Sequence, residues 1–169
     1  VRMSLTKSYK TPTLINLVAR TALSREVNSP TRPDRMGNPG LKPELANGID
    51  VAVERYLADG GVLSANVFRR NISDLIRYVT SERYDTVWAP GQRRFVSSPQ
   101  NVGDAITQGI ELEAKFRLDQ VWTDALPIDV RSNLSFFKSR VLDVMGPDNR
   151  LDQQPSMTAN LGADYRIRA

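Results

Sequence analysis

Asn38–Tyr56 reads NPGLKPELANGIDVAVERY, and it sets two kinds of structure back to back. In its first part Pro39 and Pro43 flank Gly40. Each proline fixes φ and removes a backbone donor, so this part suits neither a helix interior nor a central strand and reads as a rigid turn. Further on, Ile49, Val51 and Val53 alternate with Asp50, Ala52 and Glu54. Period-two alternation marks a strand with one apolar and one polar face. A long loop feeding a long two-faced strand is the unit that later parts of the chain repeat.

Upstream, Val1, Met3 and Leu5 alternate with Arg2, Ser4 and Thr6, so Val1–Ser8 reads as a first strand. Thr11 or Thr13 is placed to cap a short helix, with Pro12 near its first turn and Leu14, Ile15, Leu17 and Val18 on its apolar side. Residues 22–36 are mixed, polar and proline-containing, and read as a long loop. The second strand runs from Pro43 or Glu44 to about Ala58, and Asp59-Gly60-Gly61 predicts a tight hairpin. A third strand is expected from Val62 to about Thr80. Phe68 falls on its polar parity and Arg69 on its apolar one, which predicts a bulge or rim near residues 68–70. Residues 81–100 read as a second long loop.

The fourth strand sets Ile110, Leu112, Ala114 and Phe116 against Gly109, Glu111, Glu113 and Lys115. After a short connection holding Trp122, the fifth sets Ile128, Val130, Leu134 and Phe136 against Asp129, Arg131, Asn133 and Ser135. A third loop turns at Gly146-Pro147-Asp148-Asn149. The sixth strand sets Met157, Ala159, Leu161, Ala163 and Tyr165 against Thr158, Asn160, Gly162, Asp164 and Arg166. The fold class is therefore all-β, an antiparallel up-and-down meander of about six long strands. Its connections alternate long and short, so the long loops gather on one edge, as in an outer-membrane barrel.

Composition narrows the chemistry. The 169 residues contain no Cys and no His. That removes disulfides, thiol nucleophiles, Ser-His-Asp and Cys-His catalysis and the usual zinc sites. No cofactor, metal or catalytic motif is read, and the chain is not read as an enzyme. The 23 basic against 19 acidic residues leave a net charge of +4, compatible with nucleic acid, an anionic surface or an anionic small ligand. A plainly solvated surface explains the same balance. No run of eighteen apolar residues predicts a transmembrane helix. A transmembrane strand needs only about ten residues with one apolar face, so low mean hydropathy does not argue against a barrel. Val1 already lies in an alternating segment, and no leader is read before it; an excised piece and a cytosolic protein both fit that start.

Several motifs, in order, resemble the C-terminal β-barrel of TonB-dependent outer-membrane receptors of the siderophore type. Tyr9-Lys10-Thr11-Pro12-Thr13-Leu14 looks like the family's strand end before a short loop helix. Asn38–Glu44 is close to its NPxLKPE signature, and LSANVFRRNISDLI, residues 63–76, to its FxxxIxDLI strand. Asn101 to Glu113 resembles NxGxAxxxGxExE, and Gln154-Pro155-Ser156-Met157-Thr158 fits the start of the last strand. The resemblance implies that residues 1–169 are part of a plugged barrel of about 22 strands in the outer membrane of a Gram-negative bacterium. Plug and remaining strands are absent from this stretch. It also implies a receptor that imports a scarce nutrient, foremost a ferric siderophore. Its partners would be outer-membrane lipid and the TonB energy-transducing complex, the latter reached through the plug.

In such a barrel Asp50, Glu54, Glu111, Glu113, Lys115, Asp129, Arg131, Asn133, Asn160 and Asp164 face the lumen, either as a polar path or as a solvated face whose mixed charges pair across strands. Arg83, Tyr84, Trp88, Arg93, Arg94 and Phe95 combine cations with aromatic planes and suit an anionic or aromatic ligand; Arg25, Arg32 and Arg35 add positive potential. Anchoring of the loop at the membrane interface is the competing reading, and Trp122 and Tyr56 fit an interfacial belt at the short-turn edge. The alternative from another class is a soluble all-β module binding carbohydrate or nucleic acid; the long strands and segregated loops speak against nucleic acid. Taken alone, the segment is expected to self-associate, because six strands leave two open edges and an uncovered apolar face.

Overall fold

The computed structural model describes residues 1–57, 60–142 and 149–165. In chain order its elements are β1 (Arg2–Lys10), α1 (Leu14–Leu17), β2 (Thr21–Ala22), β3 (Asp34–Met36), β4 (Glu44–Tyr56), β5 (Val62–Ser73), β6 (Ile76–Arg83), β7 (Arg94–Asn101), β8 (Ala105–Arg117), a 3-10 turn (Leu118–Gln120), β9 (Ile128–Val141) and β10 (Met157–Tyr165). They fall into two compact units. One comprises Val1–Lys7, Ala46–Asn71 and Ala105–Ala169; the other comprises Ser8–Leu45 and Ile72–Asp104.

The first unit is built on a six-stranded sheet in the order β1-β4-β5-β8-β9-β10. The β8–β9 and β9–β10 pairs are antiparallel, with Ile110 opposite Phe136 and Phe136 opposite Met157. Side-chain contacts give the same sense elsewhere. Arg2 reaches Glu54, and Thr6 lies against Gly48. Asn66 bonds Glu111 while Phe68 lies against Gly109. This is the expected six-stranded meander, and the alternation seen in the sequence becomes two faces. Ile110, Phe136 and Met157 form one apolar row, and Leu112, Leu134 and Ala159 the next. These side chains are not covered: Val53, Val67, Ile110, Met157 and Leu161 are all exposed.

Phe68 belongs to the polar face, and the expected bulge at residues 68–70 does not form; β5 runs unbroken from Val62 to Ser73. The reason is Gly109. A Cβ there would sit 2.5 Å from the Phe136 carbonyl and 2.8 Å from the Phe68 ring, so its absence leaves room for the aromatic side chain. Phe68 is buried, with the Phe137 ring centroid 6.1 Å away and the Arg70 guanidinium 4.9 Å above its own. The chain breaks instead at Asp74, whose φ of 58° is left-handed, a conformation Asp adopts more readily than most residues. What was expected as one strand to Thr80 is therefore β5 and β6.

The second unit holds a four-stranded sheet in the order β2-β3-β7-β6. Residues 81–100, expected as a loop, are largely a β-hairpin in which β6 pairs antiparallel with β7 from Ile76 opposite Asn101 to Arg83 opposite Arg94. Residues 22–36, also expected as a loop, carry the end of β2 and all of β3, which pairs parallel with β7 through Asp34–Val96 and Arg35–Ser97. Helix α1 forms where expected. Thr13 is its N-cap residue but makes no side-chain cap bond, and none of the helix is buried. Gly60 and Gly61 are described in the β4–β5 connection, where the Leu57 amide donates to the Gly61 carbonyl at 2.8 Å. Ala58, Asp59, Gly146, Pro147, Asp148 and Arg166, on which parts of the hairpin, turn and last-strand expectations fall, lie outside the described residues.

Candidate functional site

The second unit is fastened at Asp34. Proline on one side and arginine on the other give its carboxylate no sequence periodicity, yet it is wholly buried. It is satisfied by four donors. The Ser24 amide donates to Oδ1 at 2.8 Å, and Trp88 Nε1 to Oδ2 at 3.0 Å. Arg94 forks across both oxygens, Nε to Oδ2 at 2.9 Å and Nη2 to Oδ1 at 2.8 Å, the bidentate geometry that a planar guanidinium favours. Burial alone pushes this carboxyl upward. The Ser24 amide, Arg94 and Trp88 together outweigh it, and the group is held below the ordinary aspartate range.

Asn28 makes a second fastening. Its Oδ1 accepts from the Phe95 amide at 2.7 Å, and its Nδ2 donates to the Phe95 carbonyl at 2.9 Å, so one side chain bonds β7 as a strand would. The sequence motifs make a third. Asn101 accepts from the Lys42 amide at 2.9 Å and donates to the carbonyls of Lys42 and Asp74. Glu44 accepts from the Ile76 amide at 2.8 Å and pairs with Lys10. Asn38 accepts from the Gly40 amide and donates to the Pro99 carbonyl. The three motif stretches NPGLKPE, DLI and NVG thus meet, and their polar residues satisfy backbone groups that no ladder reaches.

This geometry sorts the loop residues picked from the sequence. Arg94 and Trp88 are committed to Asp34. Arg32 pairs with Glu26. Tyr84 donates to Glu82 at 2.6 Å, and that bond, with the neighbouring charge, holds its hydroxyl proton above the usual tyrosine range. Arg83 is half-buried with Nε 3.5 Å from Ser81 Oγ. Phe95 carries the Arg93 guanidinium 5.5 Å from its ring centroid. Arg25, Arg35 and Arg93 are exposed and form no ion pair among the described residues. Asp34 and Asn28 were not singled out from sequence, and Asn101 and Glu44 entered only as motif positions. The available hint for Asp34 was a carboxylate set between Arg32 and Arg35.

In the first unit Glu111, Glu113, Lys115, Asp129, Arg131, Asn133, Asn160 and Asp164 share one face in the register of β8, β9 and β10. Asp50 pairs with Arg70 at 3.2 Å and Glu54 with Arg2 at 3.5 Å. Glu111 accepts from Asn66, and Asn160 donates to Asn133. Charge pairing across strands is not general, however. Lys115 stands opposite Arg131, and Asp129 stands opposite Asp164 on one side and Arg117 on the other. Such like-charged pairs are unfavourable unless solvated or met from outside. A groove of about 550 Å³ runs over this face between Glu54, Asn66, Glu111, Glu113 and Asn160.

Comparison with known proteins agrees with this architecture. The family model described as TonB dependent receptor-like, beta-barrel, matches residues 1–169. TonB-dependent receptor P26 of Formosa agariphila is 30% identical over 141 residues, which cover 83% of this chain and 13% of that protein. The Vibrio vulnificus vitamin B12 transporter BtuB is 30% identical over 95 residues, covering 52% and 14%. The Pseudomonas aeruginosa ferric enterobactin receptor PfeA, as its G324V mutant, superposes with a TM-score of 0.63 at 19% identity, covering 98% of this chain and 23% of that one. The Acinetobacter baumannii siderophore receptor PirA gives 0.63 at 19% identity, covering 98% and 24%. The chain therefore spans about a seventh or less of the curated relatives' length and about a quarter of the solved chains.

Proposed function

Because the chain belongs to the TonB-dependent receptor β-barrel family, we propose that it forms six consecutive strands of an outer-membrane barrel that imports a ferric siderophore, energised by the TonB complex acting on a plug domain. The observation that carries this reading is the two-faced sheet. One face exposes apolar side chains that lipid would cover, and the other carries the acidic and amide groups that would line a wet lumen. The role is passage of a cargo, not chemistry upon it, and lack of His and Cys accords with that.

Siderophore as cargo is supported by the exposed Arg25, Arg35 and Arg93, which offer guanidinium groups to catecholate or carboxylate oxygens. Arg94 and Trp88 act behind them by holding the segment in place. The similarity to a vitamin B12 transporter makes cobalamin the competing cargo, and one experiment separates the two. The whole receptor carrying this segment is titrated with ferric enterobactin and with cyanocobalamin, as wild type and as Arg25→Ala/Arg35→Ala/Arg93→Ala. Ferric enterobactin is expected to bind, with affinity falling roughly tenfold for each charged contact removed. Binding of cyanocobalamin alone, or enterobactin binding that the triple variant leaves unchanged, overturns the assignment.

A further inference from the structure

Phe68, Arg70 and Asp50 are packed on one another on the polar face, and two glycines make the room. Phe68 lies over Gly109, where a Cβ would come within 2.8 Å of its ring. The Arg70 guanidinium carbon stands 4.9 Å from the Phe68 ring centroid, a cation–π spacing. The Arg70 stem crosses Gly48, where a Cβ would sit 3.0 Å from Arg70 Cγ and 2.6 Å from Thr6 Oγ1. At its tip Nη2 donates to Asp50 Oδ1 at 3.2 Å. The arginine is thus fixed along its whole length, by a glycine slot, an aromatic ring and a carboxylate.

Stability does not call for such fixing. The Arg70 side chain keeps 44% of its surface open, and an ion pair so exposed contributes little. Among the described residues only its Nη2 is bonded, so Nε and Nη1 still have N–H groups to offer. Holding the side chain in one geometry removes beforehand the rotamer freedom that binding would otherwise cost, and a planar guanidinium suits oxyanions.

The neighbouring wall permits a negative charge at this height. On β8 and β9 the charged positions of the polar face are Glu111, Glu113, Lys115, Arg117, Asp129 and Arg131, all from mid-strand toward the short connection. The positions beyond them, Thr107, Gly109, Phe137 and Ser139, carry no charge. Phe68 and Arg70 lie at this uncharged end, since Phe68 meets Gly109 and Phe137.

We propose that Arg70 is an anion-binding residue of the lumen wall, met by a catecholate or carboxylate oxygen of the cargo during its passage through the barrel. Gly48, Gly109 and Phe68 act through it as positioning residues. The proposal rests on the reading of this face as a lumen and of the cargo as a ferric siderophore. It adds a contact made in transit to those that Arg25, Arg35 and Arg93 offer at capture.

The test separates capture from passage. The whole receptor carrying this segment is produced in cells with no other route for ferric enterobactin. Binding of the radio-iron-labelled complex is measured on de-energised cells and uptake on energised ones, each per receptor assembled on an unheated gel. Arg70→Gln is expected to slow uptake about tenfold, the loss of one charge-assisted contact, and to bind as wild type does. Arg70→Lys, which keeps the charge without the fork or the stack, is expected to recover part of the rate. Asp50→Asn frees the guanidinium and is expected to import at least as fast as wild type, whereas a purely structural pair would be damaged equally from either side. Wild-type uptake by Arg70→Gln, equal slowing by Asp50→Asn, or binding lost in proportion to uptake overturns the proposal. A wild type that binds no ferric enterobactin removes the cargo reading and this proposal with it; a wild type that imports it no faster than Arg70→Gln removes this proposal alone.

Discussion

Asp34 shows how much a single side chain contributes to the loop unit. Its carboxylate is wholly buried, so its charge is tolerable only because Ser24, Trp88 and Arg94 surround it with donors. Its proton affinity is lowered in the folded chain. The sign follows: the fastening is fully present above the ordinary aspartate pKa of about 3.9 and is lost as pH falls through the lower, folded value. The emission of Trp88, read in a Trp122→Phe background, is expected to stay constant from neutrality to about pH 5 and to shift red only in stronger acid. Asp34→Asn is expected to give the red-shifted emission already at neutral pH and to weaken local docking by about 3 kcal/mol. Asp34→Asn emission that matches wild type at neutral pH would refute the role. The ligand candidates were legible from the sequence as residue types, cations among aromatics. What each was bonded to was not, because Asp34 is ten residues from Ser24 and sixty from Arg94, and no periodicity links positions so far apart.

At the scale of elements, the period-two pattern found β4, β8, β9 and β10 because each alternates apolar and polar residues along much of its length. It ran the first part of β6 together with β5 and did not find β7. Burial runs continuously through Val96, Ser97, Ser98 and Pro99 of β7, and Pro99 reads as a loop residue although its strand partner is Tyr78. Strands β2 and β3, two and three residues long, are too short for any alternation to register. The Phe68 misfit is instructive because parity was right and its interpretation was not: the ring stays on the polar face, and the space comes from a glycine on the neighbouring strand β8. Gly109→Ala is expected to destabilise the barrel, since its methyl meets the Phe136 backbone carbonyl as well as the ring, and backbone cannot yield cheaply. Phe68→Ala is expected to cost about 3 kcal/mol by leaving a cavity beside Phe137. In the double variant the two penalties should not add, because the smaller residue 68 removes half of the clash. Thermal melts of the four proteins in detergent decide it; strict additivity would mean that Gly109 serves the strand pairing alone.

For the whole molecule, the sheet has two features that water does not tolerate. Its edge strands, β1 and β10, are exposed along their full length, and each presents a row of unpaired backbone groups. Its apolar face exposes Ile110, Phe136, Met157 and Leu161 in adjoining positions, a patch of the kind that drives association. Opposing this is charge, and the net +4 of the chain lies partly on the same face as Arg69, Lys138 and Arg140. These cations sit at one end of the band and leave its middle uncharged, so repulsion does not cover the apolar rows. The 169-residue chain prepared by itself in aqueous buffer is therefore expected to form oligomers through strand edges and apolar faces together. Detergent would cover the faces and leave the edges. Light scattering should report assemblies in buffer and smaller ones in micelles, with β-sheet signal in the far ultraviolet in both. A monodisperse monomer without detergent would mean that the outward apolar rows find cover within the chain, and the lipid-facing reading of that surface would have to be abandoned with it.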